Sequence, residues 1–155
     1  MVQHAYLSIS GIVHIYMETI ICYTAGESKG NPGQSAIAVY ITNDGGEVIQ
    51  EINHLIGNAT AAFASYNAVM VCLQNLQNLY EDKTKTMSFD IRLDSELVAQ
   101  HLNAKTPIND PGLVPMFIEI HNMRITSFPN LTLTLISNEE SMEANRLLKE
   151  ALDGK

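Results

Sequence analysis

Tyr23-Thr24-Ala25-Gly26-Glu27-Ser28-Lys29-Gly30-Asn31-Pro32-Gly33 is the stretch on which the reading of this chain turns. The apolar run before it (Ile20, Ile21, Cys22, Tyr23) predicts a buried strand over residues 18–24. Gly-Asn-Pro-Gly then forces a tight turn, because glycine supplies unusual φ values and proline cannot continue a ladder. Residues 36–42 and 47–55 flank Asn43-Asp44-Gly45-Gly46, a hairpin signal, so the first three strands form an antiparallel meander.

Residues 60–80 carry Phe63, Tyr66, Val69, Met70, Leu73 and Leu76 at the spacing of one buried helical face. Glu81-Asp82-Lys83 is a polar break. Met87, Phe89, Ile91 and Leu93 alternate with polar residues as a fourth strand, and residues 95–103 follow as a helix capped by Ser95. Residues 107–111 read as a loop. Residues 113–124 read as a helix, with Pro115 in its first turn. Leu131, Leu133 and Leu135 alternate as a fifth strand, and a last helix over 139–152 takes Asn138 or Ser137 as its cap. The order predicts an α/β fold with a five-stranded mixed sheet flanked by helices. Gly11–Tyr16 reads as a further short strand inside an N-terminal extension, residues 1–17, and Met17 is a candidate start of translation. The domain is expected over 18–152, with 153–155 as a tail.

Composition narrows the class. At 155 residues, with 46% hydrophobic and 17% charged side chains, the chain suits one globular domain and excludes a disordered segment. No apolar run long enough for a membrane span escapes interruption: His14 and Glu18 break the apolar region 7–23. Nothing before Lys29 is positively charged, which argues against a secretory signal, so the sequons at Asn58 and Asn130 carry no weight. Cys22 and Cys72, both in apolar runs, are expected as free core thiols suited to a reducing cytoplasm. The net charge of −8, with nine scattered Lys and Arg residues, disfavours tight non-specific binding to nucleic acid and leaves room for a local basic face after folding.

Four pieces in order resemble ribonuclease H, in particular its compact bacterial and archaeal form without a basic protrusion. The opening stretch resembles that family's Y-T-D-G-A-S-K-G-N-P-G. Thr60-Ala61-Ala62-Phe63-Ala64-Ser65-Tyr66-Asn67-Ala68-Val69 resembles its T-N-N-x-A-E-Y-x-A-L. Leu93-Asp94-Ser95 matches the strand ending in Asp-Ser, and Ser141-Met142-Glu143-Ala144-Asn145-Arg146-Leu147 matches N-x-x-A-D-x-L. Pro111-Gly112-Leu113-Val114-Pro115 matches P-x-L-x-P, with Asn109 where a lysine often stands before it. The resemblance implies the ribonuclease H fold and hydrolysis of RNA in RNA–DNA hybrids at two divalent metals. It also places the metal-binding carboxylates at Ala25, Ser65, Asp94 and Asn145. Of these only Asp94 keeps an acid. Asn31 and Thr60 are the implied substrate contacts, while Ala61 and Ala62 replace asparagines that meet the strands.

Magnesium prefers hard anionic oxygens, and paired ions about 4 Å apart need several of them. One carboxylate, a hydroxyl, an amide and a methyl group do not supply that field, so the expectation is a pseudo-enzyme with no cofactor. Its retained role is then binding, with a protein partner or self-association favoured over nucleic acid and no membrane. The alternative is a weak magnesium- or manganese-dependent nuclease through Asp94 and Glu27, because Glu27 shares a strand face with Ala25 if the strand continues that far. Glu143, two residues before Asn145 on a helix, points elsewhere. The five histidines lie in separate segments without metal-ligand spacing, Ser65 has no indicated base, and the glycine turn lacks the lysine-serine ending of a phosphate loop.

Overall fold

Apolar alternation and glycine punctuation produce the central sheet. The computed structural model describes residues 3–7 and 13–154. Strands β1 (Gln3–Leu7) and β2 (Val13–Met17) pair antiparallel as a separate two-stranded sheet. The short strand expected in the extension is therefore present as β2, with a partner the sequence did not announce; Gly11 and Ile12 lie outside the described residues.

The main sheet contains β3 (Thr19–Gly30), β4 (Gly33–Thr42), β5 (Val48–Ala59), β6 (Ser88–Leu93) and β7 (Leu131–Leu135), in the order β5-β4-β3-β6-β7. β3, β4 and β5 are antiparallel, whereas β6 runs parallel to β3 and β7 parallel to β6. The helices are α1 (Ala61–Tyr80), α2 (Glu96–Leu102), α3 (Val114–Ser127) and α4 (Met142–Leu152). This is the expected five-stranded mixed sheet. β3 is longer than expected: it runs through Glu27 and Lys29 to Gly30, whose φ of +100° opens the turn. Among the described residues no helix is long and apolar enough to cross a membrane.

The two sheet faces differ because alternate residues of one strand point to opposite sides. Ile20 and Cys22 of β3, Val39 and Ile41 of β4, and Phe89 and Ile91 of β6 form one apolar layer under α1, with α2 and α3 closing its flank. Tyr66, Val69, Leu73 and Leu76 carry the buried ridge of α1, while Phe63, in the first turn, is 37% exposed and stands outside it. Tyr66 buries its ring but keeps its hydroxyl 2.8 Å from His101 Nδ1 on α2; burial pushes this phenol up to about 12. His101 is thus a satisfied core histidine. Cys22 and Cys72 are buried, unbridged thiols in the same layer, and burial raises the Cys22 thiol.

The other face is lined by small residues. Ala25, Ala36 and Ala38 receive Ala144, Leu147 and Leu148 of α4. The last helix does not take Asn138 as its cap. A 3₁₀ turn (Glu139–Ser141) precedes α4, and Ser137 and Glu140 cap it reciprocally: Ser137 Oγ accepts from Glu140 N, and Glu140 Oε1 accepts from Ser137 N.

Gly26 sets the separation of α1 from the sheet. A Cβ there would lie 2.2 Å from the carbonyl carbon of Ala64 and 2.4 Å from the amide nitrogen of Ser65. Backbone cannot yield as a flexible side chain can. Gly26→Ala is expected to lower stability by about 3 kcal/mol in urea denaturation, the upper part of the range for overpacking. Ala25, 4% exposed against α4, makes the second test. Ala25→Asp is expected to cost about 2 kcal/mol at neutral pH. Burial raises the folded-state pKa of such a carboxyl above its unfolded value, so the charge-dependent cost is full above the folded pKa and fades as pH falls through it. Urea melts at neutral and mildly acidic pH measure the difference.

Candidate functional site

Four elements bring the four expected positions to one end of the sheet. β3 supplies Ala25, the end of β6 supplies Asp94, and α1 supplies Ser65 where it crosses Gly26. α4 supplies Asn145. Parallel pairing sets Thr24 against Leu93, which puts Ala25 and Asp94 just beyond adjacent strand positions.

Each position is engaged by the protein itself. The Ala25 methyl is packed into the α4 layer. Ser65 is 9% exposed, and its hydroxyl reaches no closer than 3.5 Å to the Gly26 carbonyl. Asp94 is half-buried and its Oδ2 accepts from Asn138 Nδ2 at 3.0 Å. Asn145 in turn donates its Nδ2 to the Asn138 carbonyl at 3.2 Å. Asn138 therefore links the surviving carboxylate to the helix that carries the fourth position. The sequence offered Asn138 only as a helix cap, and a bond from Asn145 to its backbone carbonyl leaves no side-chain signal by which the two could have been paired.

Glu27 does share the sheet face of Ala25, because β3 continues past it. It lines a cavity of about 320 Å³ with Lys29, Asn138, Asn145 and Lys149. Two ammonium groups thus face this cleft, and one of them is tied down: Lys29 Nζ donates to the Leu152 carbonyl at 3.1 Å and lies 3.8 Å from Asp153. Glu143 points away, as its angular offset requires, and pairs with Arg146 at 2.9 Å. Among the described residues, no three His, Cys, Asp or Glu side chains converge as a metal-holding group.

The implied substrate contacts are spent locally. Asn31 Oδ1 accepts from the Ala61 amide at 3.0 Å, and Thr60 Oγ1 accepts from the Phe63 amide at 3.1 Å. Both cap α1, satisfying first-turn donors that would otherwise be available to an anion. His54 is exposed on β5 and His121 stacks on Phe117, so neither joins the site; the side chains of His4 and His14 lie outside the described residues.

A family model described as "Reverse transcriptase-like" matches residues 23–151. The ribonuclease HI of Halobacterium salinarum is 31% identical over 144 residues, covering 92% of this chain and 65% of that protein. A bifunctional protein of Mycobacterium tuberculosis is 24% identical over 86% of this chain and 35% of its own length, so the chain spans only part of these curated relatives. Among solved structures, an RNase H1 isolated from compost, LC11-RNase H1, superposes with a TM-score of 0.84. It is 34% identical and covers 89% of this chain and 98% of its own. The same protein has been solved in complex with an RNA/DNA hybrid, with a TM-score of 0.84 and 33% identity over 88% of this chain. Family model, strand order and structural neighbours agree, and this chain belongs to the reverse transcriptase-like family of ribonuclease H domains.

Proposed function

We propose that this chain is a ribonuclease H-like domain that engages RNA–DNA hybrid without cutting it by the two-metal route. One observation carries the reading: the single carboxylate among the four family positions is hydrogen-bonded to a neutral amide, Asn138, which is itself tied to Asn145. Two divalent ions in the family's chemistry supply a hydroxide and neutralise the leaving oxygen. The donor set here does not fit them. One formal charge stands where four are needed, and magnesium sheds its water reluctantly for neutral ligands. Hybrid binding is supported by the solved complex of LC11-RNase H1, which shares this fold at 33% identity.

The geometry also keeps a second reading in play. Glu27 lies on the face of Ala25 and shares the cleft with Asn138 and Asn145, so Asp94 and Glu27 together could recruit magnesium or manganese at a relocated site. The two readings separate cleanly in solution. With labelled hybrid and either metal, the expected outcome is binding by fluorescence anisotropy and intact RNA on a gel. Internal RNA cleavage that disappears in Asp94→Ala would overturn the first reading and establish the second.

Catalytic ligands act as one unit, so their losses do not add independently. Ala25→Asp, Ser65→Glu and Asn145→Asp introduced together are expected to produce metal-dependent hybrid cleavage. Each alone is expected to remain at least about 1,000-fold slower than the triple variant. A single variant approaching the triple's rate would show the remaining site to be less damaged than its charge count implies.

A further inference from the structure

We propose that this chain associates with further copies of itself head to tail, an acidic apolar knob of one copy seating in a cationic apolar groove of the next. The groove runs between α3 and the segment after α2. Two adjoining cavities, of about 480 and 580 Å³, share Ala104 and Phe117. Phe117, Ile118, His121 and Ile125 recur at helical spacing along its α3 wall, and Ile118 and Ile125 are 51% and 65% exposed. Lys105 and Arg124 supply its charge, and neither cavity is lined by a single aspartate or glutamate, in a chain of net charge −8. Two of the scattered basic residues thus give this groove its cationic character.

The knob is the start of α4. Met142, 70% exposed, is the most exposed large apolar side chain among the described residues, and Ile125 in the groove is the second. Glu139 and Glu140 flank Met142, and Glu143 beside them is already paired with Arg146. Glu140 is held ionised by the Ser137 amide and hydroxyl, which lower its carboxyl from the usual range. Each surface therefore has the anatomy of an interface, an apolar centre with a charged rim, and the two rims carry opposite signs. Opposite charges select register and disfavour like-charged docking, so groove against groove and knob against knob are both opposed.

The placement of the surfaces dictates the assembly. The groove opens on the sheet face covered by α1, α2 and α3, whereas the knob stands on the opposite face, where α4 packs and Met142 borders Tyr23, Tyr40 and Thr42. Groove and knob are thus two different surfaces on opposite sides of the sheet. A contact between two different surfaces does not close on itself as a two-fold dimer does, and it extends into open chains unless the rotation closes a ring.

Sedimentation of the full chain, from micromolar to millimolar protein at low and at high salt, tests this. The expected result is association that grows past dimer and weakens with salt. Met142→Asp and Ile125→Asp, both at exposed positions, are each expected to weaken it at least about tenfold with unchanged thermal melting. Lys105→Glu and Glu139→Lys are expected to weaken it separately, while an equal mixture of those two variants regains association, because each reversed rim then meets its complement. A chain that stays monomeric at millimolar concentration overturns the proposal. So does association that stops at dimer, that ignores Met142→Asp, or that requires added nucleic acid or an acidic protein partner in the groove. These readouts are independent of hybrid binding and cleavage, so this inference and the functional reading can fail separately.

Discussion

Helix α1 lies so close to strand β3 that its backbone occupies the space of a missing side chain at Gly26. That contact fixes the height of the helix above the sheet. The apolar layer from Tyr66 to Leu76 depends on it, as does the packing of Phe89 and Ile91 beneath. It also places Ser65 directly over the strand, where its family counterpart is a carboxylate. The same glycine therefore serves both the packing of the helix and the placement of Ser65.

On the other face the separation is set by small residues. Ala25, Ala36, Ala38 and Ala144 bring α4 down onto the sheet, and Leu147 and Leu148 fill the space beside them. An alanine at 25 is well matched to this layer. Burying a methyl there is favourable, whereas desolvating a carboxylate without a cation is costly. Asn138 and Asn145 join α4, its preceding turn and Asp94 by hydrogen bonds. Two side-chain amides thus tie this part of the cleft together.

Electrostatics at the scale of the whole molecule follows a similar logic. A net charge of −8 opposes contact with phosphates and with other copies of the chain alike, unless charge is segregated locally. The fold does segregate it: Lys105 and Arg124 line a groove free of acids, while Glu139 and Glu140 gather at the start of α4. Arg146, by contrast, is absorbed by Glu51, Glu143 and Glu150 and contributes little outward field.

Much of this was legible in residue order alone. Alternation in β6 and β7, the hairpin at Asn43-Asp44-Gly45-Gly46, the helical period of α1 and the place of Pro115 in the first turn of α3 are local properties, and each held. The residues at 25, 65, 94 and 145 are read from the sequence directly, and the fold brings those four positions together. Other features depended on segments far apart in sequence. The length of β3 through Glu27 required its pairing with β4, and the use of Asn31 as a cap required α1 to arrive thirty residues later. Asn138 turned from the helix it precedes to Asp94, forty-four residues away, because a hydrogen bond to a half-buried carboxylate outweighs a cap that Ser137 already provides. Sequence determined which groups the protein owns and which local shapes they prefer. Only the tertiary structure decided which of them meet, since burial and distance between remote segments are set by how helices and sheet pack.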